Sequence, residues 1–255
     1  MTDRARPGPA CLHELASQRR LPDHQPMDRA TLGWITGNRP ANFDAAPSLP
    51  RPGLMLVPPK AWFVSERQAD SNHGVRHNAR VSLLAVLLAQ EYGLDGDDVA
   101  ALCAAGAVHD CRRRDDRADP GHGQRAAEWF GHRTAMVTRA MGREVPAAAL
   151  RRAGQAIAVH DVPYDQFTAR QERAYRRAPH LVDVLKAADC LDRYRLPLQQ
   201  WWPDLTRLRI PVPDWLPPAA FALVVRSEQA ALDGAAHQHA LAGARQFLTP
   251  GQHSQ

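Results

Sequence analysis

From residue 71 to about 250 the chain is a succession of apolar stripes at helical spacing, and strand signals are nearly absent. In "VSLLAVLLAQEY" the residues Val81, Leu84 and Leu88 share one helix face, and "GLDG" closes the segment with turn residues. Asp95 or Asp97 can cap a second helix that runs to His109-Asp110, with Val99, Leu102 and Gly106 on one stripe. Its small residues Ala104, Ala105, Gly106 and Ala107 permit close helix–helix approach. A third helix is expected after Gly123, extended or followed by 134–141, and Pro146 suits the first position of a fourth that ends near His160. "FTARQERAYRRA", "HLVDVLKAADCLDRYR" and one or two closing segments complete the pattern. Such a chain buries its stripes against one another as an all-α bundle.

The remainder is of a different texture. Residues 1–52, rich in Pro, Arg, Asp and Asn, read as a loosely structured N-terminal extension, partly irregular, with one or two short helices. Residues 53–70 read as a connecting arm, because "GLMLVPPKAWFVS" is apolar but broken by Pro58-Pro59. The helical domain proper is therefore expected over 71–250. No apolar run approaches the ~20 residues that span a bilayer, and the first residues lack the apolar core of a secretory signal, so a cytoplasmic location is expected. The net charge of +5 suits an anionic small molecule. Its arginines are dispersed without interleaved aromatics, which disfavours nucleic acid as a partner. Cys11, Cys103, Cys111 and Cys190 show no CxxC spacing, so a zinc ribbon is excluded.

Four polar residues fall on apolar faces. His77 precedes Val81 and Leu84 by four and seven positions, and His109-Asp110 ends the second helix in line with Gly106 and Leu102. Asp189 follows Lys186, Leu185 and Val182 by three, four and seven. A buried carboxylate without a partner costs several kcal/mol. Any one of these could be a satisfied core residue. Two imidazoles and two carboxylates together can hold one divalent metal ion with positions left open, and the set accepts Mn, Fe, Co, Ni, Zn or Mg.

The same residues resemble the H…HD…D ligand pattern of the HD-domain superfamily of metal-dependent phosphohydrolases. "SNHGVRHNARV" is similar to the motif HGxxHxxRV of one branch, and "HDCRRRDDRADPGHGQRAA" to its HDxxRxxDxxDPxHGxxSA. "AIAVHD" resembles AIxxH, and "LKAADCLDRYRL" resembles LKDADxLDRxRL. These blocks cover roughly residues 71–196 in order. Ala187 stands where the motif has the first aspartate of its DAD triplet, and Arg125-Ala126 replaces a small polar position. The resemblance implies an HD-domain helical bundle and hydrolysis of a small-molecule phosphoester, a nucleotide or a related compound.

In that reading His77, His109, Asp110 and Asp189 ligate the ion, which activates water and polarises a phosphoryl oxygen. Arg113, and with it Lys186, suits the phosphate. His160 or His122 suits protonation of the leaving oxygen. Asp116 either orients a nucleophilic water or anchors Arg113 in an ion pair, with Asp119 as a further support. His122 is also expected to open a helix whose N-terminus can bind phosphate. Beside this stands a metal-independent reading. The HGxxH pair also occurs in phosphodiesterase domains of the SidE and Dup families, where a histidine of the motif is the nucleophile, which would make His73 catalytic here. The retained ligand types favour the metal. A possible second metal, held with His122 and His160 as in HD phosphodiesterases and di-iron oxygenases of the superfamily, and a non-catalytic domain binding a nucleotide or partner are the remaining alternatives. The other histidines, His237 among them, are expected at the surface.

Overall fold

The computed structural model describes residues 10–43, 48–49 and 53–249. Parts of the expected N-terminal extension (1–9, 44–47, 50–52) and the end of the chain from 250 onward lie outside the described residues. Among the described residues there is no strand. The α-helices are α1 (Leu12–Ser17), α2 (Arg29–Gly37), α3 (Glu66–Ala69), α4 (Val75–Glu91), α5 (Gly96–Val108) and α6 (His122–Gly131). They continue with α7 (Thr134–Met141), α8 (Ala147–Val159), α9 (Ala169–Arg177), α10 (Pro179–Leu191), α11 (Leu216–Leu232) and α12 (His237–Leu248). None is long and apolar enough to cross a membrane.

α4 is the axis of the bundle. Every residue from Val75 to Ala89 is buried, because α5, α10, α11 and α12 surround it. Its C-terminal half is the apolar run Leu83 to Ala89. Its N-terminal half carries Arg76, His77, Asn78 and Arg80 into the same interior. The small-residue helix α5 lies against it so closely that a Cβ on Gly106 would sit 2.6 Å from the Ser82 backbone. Only glycine allows that approach, and it brings the C-terminal end of α5 beside the first turns of α4. Asp95 is the cap of α5, its side chain accepting from the backbone N–H groups of Asp97 and Asp98.

α8 packs on α5 and α6, and α10 packs on α4 and α8. A Cβ on Gly123 would lie 2.7 Å from the Ile157 carbonyl oxygen and 2.9 Å from His160 Nδ1. The glycine after His122 therefore lets the start of α6 meet the end of α8.

The arm after residue 53 is extended rather than a strand. It lies along α4, where the Leu56 N–H donates to Ser82 Oγ at 3.1 Å, and it ends in a 3-10 turn over Lys60–Trp62. The described part of residues 1–52 contains two short helices, but it is built into the core rather than loosely attached. Leu12, Ala16, Leu32 and Ile35 are buried, since their spacing gives α1 and α2 one apolar side each.

Candidate metal centre

Five chain ends and turns meet at one place: the first turn of α4 (His77), the end of α5 (His109, Asp110), the start of α6 (His122), the end of α8 (His160) and the last turn of α10 (Asp189). Four of these side chains are imidazoles with one nitrogen already committed. His109 Nδ1 donates to the Gly106 carbonyl at 2.8 Å, His160 Nδ1 to the Ile157 carbonyl at 2.8 Å, and His122 Nδ1 to the Asp119 carbonyl at 2.7 Å. His77 Nδ1 donates to the Asp192 carboxylate at 2.8 Å. Carbonyl and carboxylate oxygens only accept, so Nδ1 carries a proton in every one of these rings, and a ring in its neutral form presents a bare Nε2.

Those bare nitrogens converge. His77 Nε2 is 3.0 Å from His109 Nε2, and His122 Nε2 is 3.2 Å from His160 Nε2. Asp110 lies between the two pairs: its Oδ1 is 2.8 Å from His122 Nε2 and 3.3 Å from His160 Nε2, and its Oδ2 is 3.6 Å from His77 Nε2. Asp189 Oδ1 stands 3.4 Å from His77 Nε2 and 3.7 Å from His109 Nε2. Two triads result, His77-His109-Asp110 and Asp110-His122-His160, each with its donor atoms within 4.8 Å of one another, and each could hold a metal ion. Nitrogen lone pairs facing each other repel unless a cation or a proton lies between them, so the donor set fits a divalent ion.

The electrostatics agree. Burial by itself would raise the Asp110 carboxyl, yet the His122 and His109 imidazoles hold it well below the ordinary range. Asp189 is likewise held low against its burial, by the adjacent His109 and His77 imidazoles. Burial disfavours a charged His122, but the adjacent Asp110 carboxylate outweighs it and raises that pKa.

The site opens on a cavity of about 960 Å³ lined by His73, Arg113, Lys186, Arg195 and Trp202 besides Asp110, His122, His160 and Asp189, with His77 and His109 buried behind them. Arg113 is fixed by its Nε–H bond to the Asp115 carbonyl at 3.0 Å, and its Nη1 lies 3.9 Å from Asp110. Lys186 spends two of its donors on the His160 and Val162 carbonyls, at 2.8 and 2.6 Å, and so fastens the turn that carries His160. Burial pushes its ammonium pKa down to about 8.

Asp116 departs from the expected pairing with Arg113. It is buried behind the site and accepts from the Gln25 N–H at 2.7 Å, Ser71 Oγ at 3.0 Å and Gln68 Nε2 at 3.1 Å. Its fourth partner is His73 Nδ1 at 3.1 Å, which leaves His73 Nε2 for the cavity. Asp119 also does not support Arg113; it accepts from Arg125 Nη2 at 2.5 Å and the Arg114 N–H at 2.7 Å.

Sequence reasoning missed the support behind His77. Asp192 bonds both His77 and Arg80, at 2.8 Å to the ring and 2.6 Å to Arg80 Nε, and Arg80 Nη1 reaches Glu228 at 2.7 Å. Glu228 binds Arg76, Arg76 lies 3.1 Å from His237 Nδ1, and His237 Nε2 reaches Asp70 at 2.8 Å. His237 is thus drawn into a chain of polar contacts that runs from the buried Asp192 out to the half-exposed Asp70, rather than lying free at the surface. Arg80 one turn after His77, and Asp192 one turn after Asp189, were the available signals.

Fold and site define an all-helical protein with a buried His/Asp cluster able to hold metal. No family model, curated protein or solved structure matches the chain.

Proposed function

We propose that the chain is a metal-dependent phosphohydrolase of the HD-domain type, cleaving a phosphoester of a nucleotide or related small molecule. The observation that carries this reading is the convergence of four Nδ1-committed imidazoles and two carboxylates beside a cavity that also presents Arg113. His77, His109, Asp110 and Asp189 would hold one ion, and the sharing of Asp110 with His122 and His160 supports a second. Bound there, a divalent ion supplies Lewis acidity and a lowered pKa for coordinated water. The chain's own residues do the rest. Arg113 binds phosphate as a planar fork. Lys186 keeps the turn of His160 in place, and Asp192 and the backbone carbonyls keep the imidazoles in one tautomer. The guanidinium-bearing cavity favours a phosphoester over the oxygen chemistry that a similar dinuclear set could serve.

A second reading rests on the His73–Asp116 pair. The carboxylate orients the ring and leaves Nε2 toward the cavity, which is the arrangement of a nucleophilic histidine with its orienting group. Hydrolysis of p-nitrophenyl phosphate and bis-p-nitrophenyl phosphate separates the two. The metal reading expects turnover that chelator abolishes and that Asp110→Ala removes. If Asp110→Ala keeps full activity in chelator while His73→Ala loses it, the metal reading is wrong.

A further inference from the structure

Arg195 is a guanidinium buried at the edge of the site with only part of its hydrogen-bonding capacity used. It is 3 % exposed, yet it lines the cavity. Its Nε donates to the Asn72 carbonyl at 2.7 Å and its Nη1 to the Asp192 carbonyl at 3.1 Å, whereas Nη2 meets no acceptor among the described residues. The two carbonyls set the plane of the group before any ligand arrives. Such a rigid, desolvated fork loses little entropy on binding an anion.

Charge accounting points the same way. Asp192, the carboxylate nearest Arg195 at 3.6 Å, is shared with Arg80 and His77. Asp110 and Asp189 are the other acids whose charge reaches Arg195, and both belong to the ligand set. A divalent ion held by those two acids cancels their charge. Arg195 and Arg113 then face the cavity without a counter-ion of their own. A buried cation in that state calls for an anion.

We propose that Arg195 and Arg113 together grip the phosphoryl group beside His73, and that the site is accordingly built for a phosphomonoester rather than a phosphodiester. This rests on the phosphohydrolase reading above. A metal ion and two separate guanidiniums each find a non-bridging oxygen of their own on a monoester, whereas on a diester two of the three must share one.

The test is titration of the full chain, loaded with Mn²⁺, with inorganic phosphate by calorimetry, alongside turnover of the two p-nitrophenyl esters. Arg195→Met is expected to weaken phosphate binding at least tenfold with metal content unchanged, Arg195→Lys to recover part of it, and the exposed rim variant Arg207→Met to match wild type. KM for the monoester should rise in parallel, and wild type should prefer the monoester. Unchanged phosphate affinity in both Arg195 variants, or a wild-type preference for the diester, overturns the proposal. Should both variants misfold, phenylglyoxal labelling of wild type decides: phosphate must protect Arg195, and lack of protection overturns the proposal. Phosphate binding through Arg195 without turnover of either ester would sink the hydrolase reading and leave the anion site standing. Turnover with Arg195 indifferent would do the reverse.

Discussion

His77 and His109 point their Nε2 atoms at each other across 3.0 Å, each with its Nδ1 proton already given to a fixed acceptor. With both rings neutral that contact is repulsive, and a divalent ion between them relieves it. Metal binding should therefore stabilise the native state. At a hundredfold excess over Kd the gain is about 2.7 kcal/mol, which for a chain of this size raises Tm by roughly 5–10 °C. Thermal melts with and without EDTA check this. His109→Ala should lose most of the metal-dependent shift, and a shift that survives in it would place the ion elsewhere.

Gly106 is where packing and site meet. A Cβ there would lie 2.6 Å from the backbone of Ser82, so Gly106→Ala must push α5 off α4. Overpacking of this kind costs about 1–3 kcal/mol. The same movement shifts His109, whose Nδ1 is held by the Gly106 carbonyl, away from His77. Urea unfolding should show the loss of stability, and calorimetry a weakened metal affinity. A stability loss with metal affinity intact would separate the two effects.

Much of this was legible in the sequence. The apolar stripes gave the peripheral helices within a few residues, because burial there follows the 3.6-residue period of the pattern, whereas α4 and α5 are buried all round over most of their length. His77, His109, Asp110 and Asp189 stood out as polar residues on those stripes, and the structure brings all four together. What the sequence hid is which acid serves which base. Asp116, Asp119 and Asp192 are equally plausible partners for an arginine when read along the chain. Their assignments are fixed by contacts from distant segments, such as the Gln25 N–H on Asp116 and Arg80 on Asp192. The role of residues 23–25 in bracing the site was invisible for the same reason, since nothing in their composition marks them as structured.

Asp192 supplies the carboxylate behind His77 and fixes the tautomer of that ring. Asp192→Asn keeps an oxygen acceptor but removes the charge. Metal affinity is expected to fall by about 10–100-fold, read by competition with a chromogenic chelator. Because Arg80 retains Glu228 as a partner, the fold should persist in circular dichroism. An unchanged affinity would mean that Asp192 serves Arg80 alone.

The pH dependence of the metal-free protein should carry the signature of His73. Burial, with the nearby Arg113 charge, depresses its pKa from 6.5 to about 3 despite the bond to Asp116. Between those values the unfolded chain takes up a proton that the folded chain refuses, so the destabilisation from His73 is nil above pH 6.5 and grows as pH falls below it. His237, also lowered by burial and by Arg76, adds to the slope in the same direction. His122 acts oppositely in sign but in another window: its pKa is raised, so its contribution is complete below 6.5 and is lost as pH rises through the folded value. Asp192, lowered from 3.8 to about 2, contributes stability that is full above the unfolded value and is lost as pH falls from there toward the folded one. Denaturant midpoints from pH 6.5 down to 4.5 thus isolate the two lowered histidines. His73→Gln should flatten most of that slope while leaving the decline above pH 6.5 in place. An unaltered slope in the variant would show that His73 is protonated in the folded protein, paired as a cation with Asp116.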